Sequence, residues 1–293
     1  MNRPLELDAG ALLQRVAERV PPSLRAKVVV IGSIAAAWAY REISGTHAVA
    51  TKDIDLLLHP AIDVVATAET LGRELLQHGW QPRYPSGIGP GTADTPDTEL
   101  PALRLTPPDE ADGWFVELLA DPPAGQTHRK HWRRFRTGLG DFGLPSFRYM
   151  GVAVHAAEDT GFGLRVARPE CMALAHLLEH ADPDRTPIAN LPGNPPRFTK
   201  DVGRAIALWW LAREQSALAG EHWLAQWRMT LATLYPDRTA DMKAAAHLGL
   251  ASATAYLREA HAIALNSVLA PLGTTPDAFR RAHASLLELM DGL

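Results

Sequence analysis

Thr51-Lys52-Asp53-Ile54-Asp55-Leu56-Leu57-Leu58, closed by His59-Pro60, turns apolar after Lys52, carries two carboxylates and reads as a buried strand. Side chains alternate across a pleated strand, so Asp53 and Asp55 point to one face and Ile54 to the other. Like charges this close repel, and a carboxylate pair on an apolar strand weakens folding unless solvent or a cation compensates it. A divalent metal suits the role: magnesium takes hard oxygen ligands, usually one or two carboxylates with waters and substrate phosphates completing an octahedron at about 2.0–2.1 Å.

Upstream, the β-branched run Lys27 to Ile31 reads as a second buried strand, Gly32-Ser33 as a tight turn, and the alanine-rich stretch Ile34 to Arg41 as a helix. A glycine there permits close backbone approach. The helix that follows presents unpaired N–H groups to an anion, and Ser33 adds a hydroxyl. Downstream, a helix is expected over 61–78, and Trp114 to Leu119 reads as another strand, with Glu117 as its one ionised side chain. If that strand neighbours the first, Asp53, Asp55 and Glu117 converge. Such a trio can hold two metal ions about 3.5–4 Å apart, one activating an attacking oxygen and one stabilising a leaving pyrophosphate. Arg41 and Lys52 flank this motif, either as phosphate-neutralising cations or as solvated surface charges.

Between these strands the chain from Gln81 to Asp112 is rich in Pro, Gly, Thr and Asp and reads as a long loop, with a short strand at Leu103 to Leu105. The stretch His128 to Arg136 is strongly basic and interleaves Trp132 and Phe135. Three-residue spacing of the aromatics suits a helix with an inward stripe, while the composition suits contact with a nucleic-acid acceptor. Further strands are expected at Gly151 to His155 and Gly163 to Val166. From Arg168-Pro169 onward the pattern is helical: about Glu170 to Ala181, Thr199 to Ala217 and three more helices, with Trp209, Trp210, Trp223 and Trp227 as core. The expected division is therefore 1–167 and 168–293.

The chain has 293 residues, enough for two ordinary domains without disulfides. A formal net charge of −4 argues against a uniformly basic nucleic-acid binder, and the single Cys171 leaves no internal disulfide; its apolar flanks suggest a core thiol. The residues from Met1 to Asp8 lack a secretory pattern and no run of about 18 apolar residues occurs, so a cytoplasmic protein without a membrane span is expected. His128 with His131, and His176 with His180, have one-face helical spacing but no further zinc signature.

The succession of strand, Gly32-Ser33, helix, Asp53-Ile54-Asp55 on a strand, and a later strand carrying Glu117 resembles the DNA polymerase β-like nucleotidyltransferase superfamily. The resemblance implies that Gly32 and Ser33 bind a triphosphate and that Asp53, Asp55 and Glu117 are catalytic metal ligands. Gly163 to Glu170, the helix after it and Phe198-Thr199-Lys200-Asp201-Val202 are similar to toxin-type and AbiEii-like members. In those, Lys200 would meet the triphosphate and Asp201 orient it. The helical lysine of that pattern is replaced by His176.

What the resemblance implies is an α/β fold, a mixed sheet flanked by helices followed by a helical domain, and Mg2+- or Mn2+-dependent transfer of a nucleoside monophosphate from a nucleoside triphosphate. The acceptor is a hydroxyl or nucleic-acid end: RNA (a transfer RNA among the candidates), a protein side chain or a small molecule. A toxin setting with an antitoxin partner rests on the resemblance alone. The competing reading, which His176 favours, is a non-catalytic nucleotide- or partner-binding module.

Overall fold

A computed structural model describes residues 6–44, 48–84, 87–108, 113–188, 193–270 and 272–293. Met1 to Leu5, part of the connector over 44–50 and parts of the loops over 81–112 and 182–196 lie outside the described residues. In chain order the elements are β1 (Glu6–Asp8), α1 (Ala9–Arg19), α2 (Pro22–Arg25), β2 (Val28–Ile31), α3 (Gly32–Ala39), α4 (Arg41–Ser44), β3 (Ala48–Ala50), β4 (Asp53–Leu58), α5 (Val64–Gln77), β5 (Gln81–Pro82) and β6 (Arg104–Thr106). Next come β7 (Phe115–Ala120), β8 (Lys130–Thr137), β9 (Gly140–Phe147), α6 (Met150–Val154), β10 (Glu158–Asp159), β11 (Arg165–Val166), α7 (Pro169–Glu179) and α8 (Phe198–Gln215). The chain ends with α9 (Ala219–Leu234), α10 (Thr239–Ala251), α11 (Leu257–Leu265) and α12 (Pro276–Asp291). It divides into two compact units, 1–35 with 51–167, and 36–50 with 168–293.

The first unit is built on a seven-stranded mixed sheet, order β10-β11-β2-β4-β7-β6-β5. Its centre is fixed by hydrophobicity: Val28, Val29, Val30, Leu56, Leu57, Leu58 and Leu118 are fully buried, each such side chain contributing about 1.5–3 kcal/mol. Strand β2 runs antiparallel to β4, and β4 runs parallel to β7. Helix α1 lays Leu12, Leu13 and Val16 into the core, and its amino end is capped by the Asp8 carboxylate, which accepts from the Ala11 N–H at 2.7 Å. Trp80 and Trp114 meet edge to face at 5.6 Å.

Three local expectations are corrected. After α8 the described residues form four α-helices, α9 to α12, where three were expected. The basic stretch is β8 of a hairpin with β9, not a helix. Phe135 is buried against Phe142, ring centroids 6.0 Å apart, and β8 packs beside α5. The run Gly151 to His155 lies within and just beyond the short helix α6 rather than in a strand.

The second unit is helical, with α7 packed against α8 and α10, and α8 against α11 and α12. Its tryptophans are core residues: Trp209 meets Trp223 at 5.1 Å, Trp223 meets Trp227 at 5.4 Å, and the Trp227 indole N–H donates to the Glu170 carbonyl at 2.7 Å. Trp210 is only partly buried. Cys171 is buried, and burial, with the Glu170 charge adding to it, pushes its thiol to about 12. It is a packing group, not a nucleophile.

Candidate active site

Register places the charged residues of the sheet in a row. Ile31 on β2 stands opposite Asp55 on β4, Asp55 opposite Glu117 on β7, and Glu117 opposite Arg104 on β6. Directly opposed residues share a face, so Asp55, Glu117 and Arg104 project to the same side. One step along, Asp53 pairs with Phe115 on that side. Asp53 is exposed, and Asp55, Glu117 and Phe115 are half-buried. The face is open where the carboxylates sit and closed beneath them, since Ile54, Leu56 and Val116 fill the core on the other side.

Each aspartate is held. The Thr51 hydroxyl donates to Asp53 Oδ1 at 2.5 Å. Asp55 lies against the turn that opens α3: Gly32 has φ +74°, and a Cβ there would stand 2.7 Å from Asp55 Oδ2. Only glycine allows both that backbone and that approach. Ser33 is buried beside it. Lys52 is half-buried at the entrance to β4, its carbonyl accepting from the Phe115 N–H at 2.8 Å.

Glu117 has a partner the sequence did not announce. The Arg104 Nε donates to Glu117 Oε2 at 2.6 Å, the side chains being 32% and 15% exposed. Two guanidinium groups also lie over the Phe115 ring, Arg83 at 5.0 Å and Arg104 at 5.6 Å from its centroid. The Arg83 backbone N–H donates to the Arg104 carbonyl at 2.9 Å. Among the described residues, no three His, Cys, Asp or Glu side chains are gathered round one point as a metal cluster. The three carboxylates share a face, while Glu117 is turned to an arginine.

Arg41, Lys200 and Asp201 belong to the second unit. Arg41 donates to the Trp38 carbonyl at 2.7 Å and stacks 4.3 Å from that indole's centroid. Lys200 and Asp201 lie in the first turn of α8. Burial works to raise the Asp201 carboxyl, but the hydrogen bond from His180 Nε2 at 3.0 Å and the neighbouring His176, His180 and Arg204 hold it below the usual carboxylate range. Burial drives His176 down to about 4, against the upward pull of Asp201 and with Arg204, His180 and Lys200 adding to the shift. At neutral pH its imidazole is uncharged and does not supply a lysine's charge.

In the basic stretch Arg133, Arg134 and Arg136 serve the fold. Arg133 donates to the carbonyls of Ala61 at 2.5 Å and Asp121 at 3.0 Å. Arg134 pairs with Asp97 and Asp141, and Arg136 with Asp141. Trp132 lies over Gly143, where a Cβ would come within 2.7 Å of the indole, and Lys130 covers it at 4.0 Å. His128 and His131 are exposed.

No protein-family model and no curated protein matches the chain. Among solved structures it has a likeness to an antigenic nucleotidyltransferase-like protein from Paracoccidioides brasiliensis, at 16% identity and a TM-score of 0.32, over 82% of this chain and 95% of that one. A likeness of that degree carries no argument, and the functional reading rests on the geometry of the site. Among the described residues no helix is long and apolar enough to cross a membrane.

Proposed function

We propose that the chain is a divalent-metal-dependent nucleotidyltransferase acting through the carboxylate row of its mixed sheet. One observation carries this reading: Asp53 and Asp55 share a face with Glu117 directly opposite Asp55, and Asp55 abuts a positive-φ glycine at the start of a helix. The donor set, all hard carboxylate oxygens, fits Mg2+ or Mn2+, with Asp53 and Asp55 as the first ligands and Glu117 within one strand spacing. When bound, the ion supplies Lewis-acid polarisation of phosphate oxygens.

The chain's own groups do the rest. Gly32 and Ser33 receive the triphosphate of an incoming nucleotide at the start of α3. The acceptor oxygen forms a bond to the α-phosphorus, the bond from that phosphorus to the pyrophosphate oxygen breaks, and the acceptor's proton passes to a carboxylate of the row. Lys52 is placed at the entrance to β4 to offset phosphate charge; Arg41, Lys200 and Asp201 are assigned nucleotide contacts on the sequence resemblance alone. The acceptor class, whether RNA, protein or small molecule, and an antitoxin-like partner are for the labelling assay to define.

Incubation with each α-labelled nucleoside triphosphate, Mg2+ or Mn2+ and total RNA or lysate should label an acceptor. Asp53→Ala and Asp55→Ala should each lower the rate by about a thousandfold, the equivalent of several kcal/mol of charge stabilisation. Silence with all four nucleotides would sink the enzymatic reading. The neutral His176 at the family's lysine position favours a second reading, a module that binds nucleotide without transferring it. It would show nucleotide binding that ignores both metal and Asp53→Ala.

A further inference from the structure

We infer that Arg104 is a resident counter-ion that exchanges Glu117 for the phosphate charge of the substrate when a divalent cation joins the aspartates, which rests on the proposed nucleotidyl transfer. The first ground is the row itself. Arg104 and Glu117 are register partners 2.6 Å apart, so the third carboxylate is already neutralised by a side chain. On its other flank Glu117 faces Asp55 from the adjacent strand, a spacing of about 5 Å that one ion can bridge.

A guanidinium and a divalent cation on the same carboxylate repel each other and compete for its charge, so occupancy of the aspartate site by a cation weakens the hold of Arg104 on Glu117. The second ground is where the freed group stands. Arg104 and Arg83 both lie over Phe115, next to the aspartates' row, and among the described residues Arg83 makes no ion pair. Two guanidinium forks at one edge of a carboxylate row suit a polyphosphate, which planar guanidinium binds through paired N–H groups. Arg104 is thus a positioning residue that keeps the site neutral when empty and turns to the anion when it fills.

Two probes read the exchange without turnover: Mn2+ alone, by electron paramagnetic resonance, and inorganic tripolyphosphate in EDTA, by calorimetry. Arg104→Gln should bind Mn2+ about fivefold more tightly than the wild type and tripolyphosphate about fivefold more weakly, the scale of one partly buried ion pair. Glu117→Gln should bind metal-free tripolyphosphate about fivefold more tightly, because it releases Arg104. Arg104→Lys, which keeps the charge, should stay near wild type for Mn2+. If Arg104→Gln fails to fold, the Glu117→Gln and Arg104→Lys results decide.

Unchanged or weaker Mn2+ binding by Arg104→Gln, or unchanged tripolyphosphate binding by Glu117→Gln, would overturn the exchange and leave Arg104 a strut for Glu117. Failure of the underlying reading looks different: Mn2+ affinity of the wild type would be insensitive to Asp53→Asn and Asp55→Asn.

Discussion

At Gly32 a side chain is excluded twice. The φ of +74° lies in the left-handed region, where an L residue costs about 1–2 kcal/mol, and a Cβ would press on Asp55 Oδ2. Gly32→Ala should therefore lower the unfolding free energy by about 1–2 kcal/mol in urea titrations and weaken Mn2+ binding, because the Asp55 carboxylate must move. Wild-type values for both would show that neither constraint operates. Individual residues of the row were unequally legible in the sequence. Asp53 and Asp55 announce themselves because a carboxylate pair on an apolar strand needs a reason, and Glu117 does so for the same cause. Arg104 did not, since its meaning depends on β6 pairing with β7 in one register, which no local pattern encodes. Arg83 and Phe115 are found only through the same pairing.

Among elements, β2, β4, β7, α7 and α8 were readable because their apolar patterns are strong and each ends at a Pro, Gly or polar break. The hairpin was not. Lys130 to Thr137 alternates weakly, and its strand state is set by distant groups: Phe142 across the hairpin, α5 beneath it and the carboxylates that neutralise its arginines. Asp141 is central to that set. Hydrogen bonds from Arg136 and then Arg134 hold its carboxyl at about 2, below the ordinary 3.8. A carboxyl lowered by folding contributes stability that is fully present above about pH 4 and lost as pH falls through 4 towards 2. Asp141→Asn should accordingly lower the melting temperature at pH 7 and at pH 5 by the same amount, and the difference from wild type should shrink below pH 4. A difference that fades between pH 7 and 5 would mean that Asp141 is not the ionised partner of these arginines. Helix α6 was misread for a similar reason, its Val-Ala-Val run being equally suited to a strand until packing decides.

Across the whole molecule the two units divide the titration as well as the chain. The first holds its carboxylate row on the sheet face; the second gathers the half-buried His176, Asp201, Arg204 and Lys200 round the buried His180 where α7 meets α8. His176 titrates near 4 in the fold and near 6.5 when free. The unfolded chain thus binds its proton first as pH falls, so the stability linked to this residue is complete above about 6.5 and drains away between 6.5 and 4. Asp201 acts lower, its contribution being lost only as pH falls below the ordinary carboxylate range. Burial lowers His283 too, with the Leu250 carbonyl opposing, and it adds a loss of the same sign. Amide exchange in α7 and α8, corrected for intrinsic rates, should show protection falling between pH 7 and pH 4.5. His176→Gln should flatten that fall without abolishing it, because His283 remains. Equal falls in variant and wild type would place the acid sensitivity elsewhere and show that His176 does not govern how this unit responds to protons.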